Sequence, residues 1–339
     1  MTFLIAVVML GLIIFVHELG HFLTAKLFKM PVSEFSIGMG PQVFSVDTKN
    51  TAYSFRAIPI GGYVNIEGME IGSEVENGFS SKPAYQRFIV LFAGVFMNFL
   101  MAFILLFAIA KINGRIEYDT NAIIGGLVKG GANEQILKVD DKILELDGKK
   151  INVWTDISKI TKASQNKEEI SALIERNGKE ENITLKLTKD EENNRVVLGI
   201  SPKYKKIDLS TTESLDFAKN SFNSIFTDTL KGFFTLFSGK ASLKEISGPV
   251  GIFKVVGEVS KFGWVSIISL CVVLSINIGV LNLLPIPALD GGRIIFVFLE
   301  LFGIKINKKW EEKLHKSGMI LLLFFILMIS VNDVWKLFN

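Results

Sequence analysis

Four long apolar stretches limit what this 339-residue chain can fold into. They cover residues 2–27, 88–110, 262–284 and 315–332, and most of the charged residues lie between them. An apolar stretch of about 20 residues is long enough to cross a bilayer as a helix, and lipid offers no other partner for backbone N–H and C=O groups. The sequence therefore predicts a polytopic α-helical membrane protein with four transmembrane helices.

The segments between these stretches predict one small sheet and one soluble domain. Residues 35–66 alternate like strands around glycines, which predicts a β-sheet associated with the membrane. Residues 113–204 are charged and predict one α+β domain, with a short helix at 131–138. Within residues 205–261, the stretch 214–239 has apolar residues at helical spacing. It predicts an amphipathic helix on the membrane surface, and a core helix of the soluble domain is the alternative.

Positive charges predict how the chain crosses the membrane. Lys26 and Lys29 follow the first stretch, and a basic segment at residues 305–316 lies between the third and the fourth. Because Lys and Arg concentrate in cytoplasmic loops, both segments are predicted to be cytoplasmic. The α+β domain and both termini then fall on the extracytoplasmic side, and the chain spans a lipid bilayer four times.

The first apolar stretch contains a cluster of ionisable residues, His17-Glu18-Leu19-Gly20-His21. Such residues are costly inside a bilayer and indicate function there. Positions four apart face the same side of a helix, so His17 and His21 can bind one metal ion. Glu18 is then placed to activate water at the metal, accepting its proton and passing it to a leaving amine. This pattern predicts a zinc hydrolase that works within a membrane.

A catalytic zinc ion generally has three protein ligands, so a third must come from elsewhere in the chain. His315 is the remaining histidine, but it lies in a basic segment beside Lys313 and Lys316, where a surface role is favoured. Asp290 is preferred, because it follows a helix that prolines break. The predicted topology also brings Asp290 and His17 to one level, in the cytoplasmic half of the bilayer.

Asparagines in the apolar stretches have two interpretations. Asn277 and Asn282 are predicted to hold exposed substrate backbone near the metal, and hydrogen bonding between helices is the alternative. Asn98 is predicted to make an interhelical hydrogen bond rather than to take part in catalysis. An extended substrate is expected to pair with the edge of the sheet at residues 35–64.

Composition excludes several other classes of protein. The net charge of +3 suggests no nucleic-acid partner. One cysteine excludes a thiolate zinc site, and three histidines are too few for a multi-histidine di-iron enzyme or a histidine-rich metal transporter. A transporter that uses the metal-binding residues as a transit site, and a non-catalytic membrane scaffold, stay as alternatives. The second and fourth stretches offer almost no polar residues for a transport path.

The motifs resemble those of the site-2 protease family of intramembrane zinc metalloproteases, in the branch of the bacterial regulator of sigma-E protease. Residues 17–21 are similar to the family's HExxH, and residues 282–291 to its NxxPxPxxDG, whose aspartate is the third zinc ligand. Residues 61–64 resemble the end of the family's membrane-associated sheet, and residues 247–251 a motif before the third span. Residues 113–204 resemble a PDZ domain.

The resemblance implies one zinc ion held by His17, His21 and Asp290, and substrate binding by Asn277 and Asn282. It implies an endopeptidase that cuts transmembrane segments of anti-sigma factors or remnant signal peptides, generally after another protease has removed the extracytoplasmic part. The PDZ-like domain would be a size filter or tail sensor. The implied location is the bacterial cytoplasmic membrane, with the active site toward the cytoplasmic side.

Overall fold

The structure is a computed structural model that divides into two compact units, Met1–Ala110 with Thr211–Asn339, and Lys111–Ser210. The predicted soluble domain, residues 113–204, falls inside the limits of the second unit. Parts of the basic segment at 305–316 and of the motif at 247–251 lie outside the described residues. The structure describes residues 2–69, 75–118, 121–128, 130–190, 195–239, 248–304 and 307–338.

The first unit begins with two long helices and a hairpin between them. These elements are α1 (Thr2–Leu27), β1 (Val32–Asp47), β2 (Ala52–Ile66) and α2 (Ala84–Asn113). The helix α1 ends because Lys29 takes a left-handed conformation with φ 55°, so that Met30 N–H reaches the carbonyl of Ala25 at 2.9 Å. This turn leads the chain directly into β1. The hairpin packs back against α1, where the rings of Phe22 and Phe35 are 4.9 Å apart.

The second unit is built on a four-stranded antiparallel sheet with the strand order β6-β5-β7-β8. Along β7, Ile170, Ala172 and Ile174 are buried while Glu169 and Ser171 are exposed, which is the period of two that a half-buried strand shows. The elements are β3 (Arg115–Tyr118), β4 (Ile124–Leu127), β5 (Lys142–Leu146), β6 (Lys149–Lys150), α3 (Trp154–Ala163), β7 (Glu169–Arg176), β8 (Lys179–Lys186), β9 (Thr188–Asp190), β10 (Arg195–Val197), β11 (Ile200–Pro202) and β12 (Tyr204–Ile207).

The short helix predicted at residues 131–138 is wrong, because the structure has successive turns at 132–136. The side chain of Asn133 is the reason. Its amide donates hydrogen bonds to the carbonyls of Lys186 and Leu198, and its oxygen accepts one from Lys186 N–H. These bonds hold Asn133 against the backbone of Lys186 and Leu198, and Asn133 and Gly131 both have low helix propensity.

The hairpin turns of the second unit follow from the sequence. Asp147-Gly148 and Asn177-Gly178 all have positive φ values, as a two-residue turn between antiparallel strands requires. The Asp147 carboxylate also accepts hydrogen bonds from Lys167 and Ser164. These bonds hold the pKa of Asp147 below its usual range, so its charge persists well into acid.

Five helices make up the described residues in the C-terminal part of the first unit. The third apolar stretch is α6, and the fourth lies within α8, which extends beyond the predicted 315–332 at both ends. Four described helices are long and apolar enough to cross a membrane, as the sequence predicts: α1, α2, α6 and the Trp310–Val331 part of α8. The elements are α4 (Thr211–Phe237), α5 (Pro249–Ser260), α6 (Trp264–Leu283), α7 (Asp290–Leu301) and α8 (Lys308–Phe338).

The helix α4 packs against α2 and α6 through Ala218 and the rings near it, and its place on the membrane surface stays a prediction. The rings of Phe222 and Phe226 are each 5.7 Å from the ring of Phe99 on α2. Thr229 Oγ1 donates a 2.6 Å hydrogen bond to Asn277 Oδ1 on α6. The alternative, a core helix of the soluble domain, is wrong, because Ala218, Phe222 and Phe226 of α4 pack within the first unit.

The structure also shows α5, a helix that the sequence analysis did not separate from residues 205–261. Val256 is buried among residues of α1 and α6, and Phe253 stacks on Phe3 with 5.3 Å between the ring centroids. At its start, Gly251 N–H donates a 2.8 Å hydrogen bond to Asp333 Oδ2 on α8. This carboxylate caps the helix from another element, and so ties α8 to α5.

A buried ion pair in the second unit gives a first prediction. Arg176 forms two hydrogen bonds with Asp141, at 2.9 and 2.7 Å, and Asp141 is 1% exposed. Replacing Arg176 with Met leaves that carboxylate buried without its cation, which we expect to lower the unfolding free energy by about 3 kcal/mol. Amide hydrogen exchange in β5 and β7 measures the loss. As a control, Lys159→Met breaks only an exposed pair with Asp156, and should change it by less than about 1 kcal/mol. Equal exchange in both variants would contradict the prediction.

Candidate metal centre

The two histidines of α1 lie where this helix crosses α2 at close range. His17 and His21 are both buried. A methyl group on Gly20 would lie 2.6 Å from the carbonyl carbon of Ala93, and one on Gly94 would lie 2.8 Å from His17 Cε1. Small residues allow helices inside a membrane to approach closely, so these two glycines let the histidine side of α1 pack directly on α2.

A turn between α6 and α7 brings Asp290 to the same place. Prolines at 285 and 287 prevent α6 from continuing, and Leu284 takes the extended conformation that a following proline favours. Asp290 is the first residue of α7. Its Oδ2 atom lies 3.0 Å from His17 Nε2 and 3.3 Å from His21 Nε2. Residues 273 positions apart in the chain therefore meet in one cluster.

The three donor atoms have the spacing that a tetrahedral metal ion needs. The two Nε2 atoms are 3.2 Å apart, which completes a triangle with sides of 3.0, 3.2 and 3.3 Å. Zinc binds such atoms at about 2.0–2.2 Å, so two ligands of one tetrahedral ion are about 3.3–3.6 Å apart. The observed triangle fits one face of that tetrahedron to within a few tenths of an ångström. Within the described part of the chain, this is the cluster of three or more His, Cys, Asp or Glu donors that could hold a metal.

Neighbouring groups orient both imidazoles. His21 Nδ1 is 2.8 Å from the carbonyl oxygen of Val90, so this nitrogen carries the proton and Nε2 keeps its lone pair for a metal. His17 Nδ1 lies 3.5 Å from the side-chain amide of Asn98, which is fully buried. The Asn98 oxygen has no hydrogen-bond partner among the described residues. Turning the amide by 180° places that oxygen where it can accept a proton from His17 Nδ1.

Glu18 lies outside the donor triangle, on the side of the hairpin. Its Cγ atom is 3.8 Å from the position that a methyl group on Gly62 would take, and the backbone of Val64 faces its carboxyl group. The absence of a side chain at Gly62 leaves space next to Glu18. The arrangement allows one carboxylate, Asp290, to bind a metal while the other, Glu18, stays available for proton transfer.

The two asparagines of α6 have different surroundings. Asn282 Nδ2 is 3.5 Å from His17 Nε2, so this side chain reaches the metal centre. Asn277 lies five residues earlier, and its side-chain oxygen accepts the hydrogen bond from Thr229 of α4. That contact is the interhelical bond that the sequence left open as the alternative. The substrate-binding role of both residues stays a prediction.

His315 corrects the expectation of a surface role. It is 8% exposed, and its Nδ1 atom accepts a 3.1 Å hydrogen bond from the backbone N–H of Ala288. Its ring lies 5.8 Å from the ring of Phe296 on α7. The basic residues around it suggested exposure, but helical spacing turns His315 away from them and toward the turn that carries Asp290. Sequence reasoning also missed Asn98 as a neighbour of His17, although its position among apolar residues was a signal.

The model of Peptidase family M50 matches residues 5–325 of the chain. The chain belongs to this family, the site-2 protease family. A protein of Fusobacterium nucleatum that is named as a zinc metalloprotease is 92% identical over 339 residues, all of both chains. A zinc metalloprotease of Clostridium acetobutylicum is 34% identical, with 97% of this chain and 96% of the relative covered. The regulator of sigma-W protease RasP of Bacillus subtilis is 28% identical, with 99% of each covered.

The family model and these relatives identify the chain as a zinc metalloprotease of a membrane-protease family. Among solved structures, the PDZ domain of an SdrC-like protein of Listeria monocytogenes matches 25% of this chain and 90% of its own length, with 15% identity and a TM-score of 0.23. The corresponding domain of Listeria innocua matches 26% and 99%, with 16% identity and the same TM-score. A TM-score this low leaves the PDZ assignment of residues 113–204 a prediction.

The contact between Asn98 and His17 gives a second prediction. Replacing Asn98 with Leu removes the group that orients the His17 ring, and we expect zinc affinity to fall by about 10- to 100-fold. Competition with a chelator measures the affinity. Ser275→Ala is the matched control, because Ser275 Oγ bonds the backbone oxygen of Asn98 at 2.9 Å and leaves its amide untouched. Equal zinc affinity in the two variants would show that the amide does not act on His17.

Proposed function

We propose that the protein is an intramembrane zinc endopeptidase in which His17, His21 and Asp290 hold one zinc ion and Glu18 is the general base. The observation that carries this proposal is the buried triangle of donor atoms with sides of 3.0–3.3 Å. Two neutral imidazoles and one carboxylate leave one tetrahedral position open, which is the ligand set of a catalytic rather than a structural zinc site.

Each residue around the triangle has a distinct task in peptide hydrolysis. Bound zinc supplies a Lewis acid that polarises the scissile carbonyl and increases the acidity of water. Glu18 accepts the proton from the attacking water and delivers it to the leaving amine. Asn282 lies close enough to His17 to donate a hydrogen bond to substrate backbone beside the reacting carbonyl. The apolar surroundings limit access of bulk water and strengthen these electrostatic interactions.

The hairpin offers a way to present the substrate. A transmembrane helix must be unwound before attack, because its carbonyls are occupied in intrahelical hydrogen bonds. Residues 52–55 of β2 pair with β1 on both sides, whereas residues 62–66 pair with it on one side. Within the described residues, the other edge of 62–66 has no strand partner, and an added strand could pair there. Gly62 on β2 lies next to Glu18, so a substrate paired there would pass the general base in an extended conformation.

Substrate class and location extend the same proposal. The substrates are transmembrane segments of anti-sigma factors or remnant signal peptides, already shortened by another protease, and the relative RasP, named as a regulator of sigma-W protease, supports the first class. The location is the bacterial cytoplasmic membrane. Lys26 and Lys29 at the end of α1 support a cytoplasmic position for that end, and the proposal therefore puts both termini and the second unit on the extracytoplasmic side.

The second unit contains a groove that suits selection of substrates. It has a volume of about 580 Å³ and is lined by α3 and by residues of β10 and β11, including Trp154, Ile157, Thr161 and Val196. A groove between a helix and an adjacent strand, lined by both apolar and polar side chains, can receive an extended peptide. We propose that this PDZ-like unit filters substrates by size or senses their tails before the first unit cleaves them.

Glu18→Gln tests the general base. The substitution keeps the size of the side chain but removes the carboxylate that accepts a proton, so we expect zinc content to be unchanged and cleavage of a model transmembrane substrate to fall by about 10²-fold or more. The measurements are zinc analysis and cleavage in detergent or liposomes. Glu258→Gln, the same change at an exposed position of α5, should retain activity. Cleavage at the normal rate by Glu18→Gln would exclude Glu18 as the base.

Asp290→Asn tests the third ligand. An amide is a far weaker zinc ligand than a carboxylate, and it leaves the charge of zinc uncompensated in an apolar site. We expect the purified variant to lose zinc under conditions in which the wild-type protein keeps one ion per chain, and to lose cleavage with it. Full zinc content together with normal cleavage would show that another residue completes the site.

A further inference from the structure

His315 is the histidine outside the proposed zinc site, and it lies against the turn that carries Asp290. The backbone N–H of Ala288 donates a 3.1 Å hydrogen bond to His315 Nδ1. Ala288 precedes Asp290 by two residues, so this bond acts close to the carboxylate without touching it. It also connects α8, a helix that contributes no donor to the metal triangle, with the segment between α6 and α7.

The turn needs a support of this kind because its backbone is strained. Ala288 has a φ of +84°, in the left-handed region that favours glycine. A residue with a β-carbon keeps such a conformation only when its surroundings hold it there. The N–H of Ala288 is the group that His315 binds. Loss of that bond would therefore let the turn relax, and Asp290 would move with it.

The packing of α8 leaves His315 little freedom to shift. A methyl group on Gly318 would lie 2.7 Å from the carbonyl oxygen of Pro287, so α8 touches the turn through a glycine. On its other side the His315 ring meets Phe296 of α7. His315 Nε2 is buried and has no hydrogen-bond partner among the described residues, whereas Nδ1 accepts from the backbone. The ring thus acts on the turn through a single acceptor atom.

We propose that His315 is a positioning residue that holds the strained turn at Ala288, so that the Asp290 carboxylate reaches zinc. The proposal rests on the zinc site proposed above. In this proposal α8 supports the metal site indirectly, through the one hydrogen bond that His315 accepts from the backbone of Ala288. The hydrogen bond of the ring goes to the backbone of Ala288 and not to a metal ligand.

The test compares zinc binding in His315→Leu with that in the full-length wild-type protein. Leucine fills similar space but offers no acceptor, so zinc affinity should fall by about 10- to 100-fold, as is typical when a supporting group of a metal ligand is removed. The visible spectrum of the cobalt(II)-substituted protein should change as well, because it reports how Asp290 is bound. His315→Asn returns an acceptor to the position of Nδ1, and should restore both the affinity and the spectrum.

A matched control lies at the other end of α8. Asp333 is also buried, and it accepts a 2.8 Å hydrogen bond from the backbone N–H of Gly251. Asp333→Leu removes a contact of the same type far along the helix from the turn. It should lower thermal stability and leave zinc affinity and the cobalt spectrum unchanged. Any general loosening of α8 is thereby separated from the specific effect of His315.

A second measurement uses the strain itself. Glycine takes a positive φ without cost, so Ala288→Gly should reduce the loss of zinc affinity that His315→Leu causes. If His315→Leu does not fold, the double variant with Ala288→Gly takes its place in the measurement, because glycine removes the backbone strain at position 288. A double variant that binds zinc as weakly as His315→Leu would contradict the proposed role of the turn.

The outcomes separate this inference from the proposed function. A wild-type protein that binds no zinc and cleaves nothing would overturn both. A wild-type protein that binds zinc and cleaves, with His315→Leu equal to it in zinc affinity and cobalt spectrum, would overturn only the role of His315. Failure of His315→Asn to restore the spectrum would do the same. Loss in His315→Leu, recovery in His315→Asn and no change in Asp333→Leu would support it.

Discussion

The rest of the structure depends on three donor atoms whose lone pairs point toward one another. Nε2 of His17, Nε2 of His21 and a carboxylate oxygen of Asp290 lie 3.0–3.3 Å apart in a buried site, where such atoms repel unless positive charge lies among them. In the proposed function, a zinc ion bound by these three residues supplies that charge. Four features position the residues that carry these atoms: the close packing of α1 on α2, the break after α6, and the hydrogen bonds to Val90 and Ala288.

Several elements position the metal centre, and each does so for a different physical reason. Glycines let α1 and α2 approach, since a side chain at Gly20 or Gly94 would collide with the opposite helix or with the imidazoles. Prolines end α6 and free the next residues to turn back. The helix α8 is tied to the turn by His315 and to α5 by Asp333. At the proposed location inside a membrane there is no water to bridge imperfect contacts, so each of these positions must fit directly.

Sequence reasoning was most successful where a short motif sets local geometry. Helical periodicity places His17 and His21 on one side of α1, and the Asp147-Gly148 pair forms the turn that its residues favour. It failed where a distant partner decides. The helix α4 packs on α2 and α6 rather than in the core of the soluble domain, and the Asn133 side chain bonds the backbone of Lys186 and Leu198 rather than its own turn. His315 appeared exposed because its neighbours in the chain are basic.

The sequence alone determined the apolar helices, the pair of histidines with a glutamate between them, and a late aspartate after a proline-broken helix, because period and residue type fix these features locally. Only the tertiary structure decided that the aspartate lies 3.0 Å from His17, that Asn98 faces the same imidazole, and that His315 accepts a hydrogen bond from the backbone of Ala288. Such contacts join residues up to 273 positions apart, and no local pattern sets the packing of helices that brings them together.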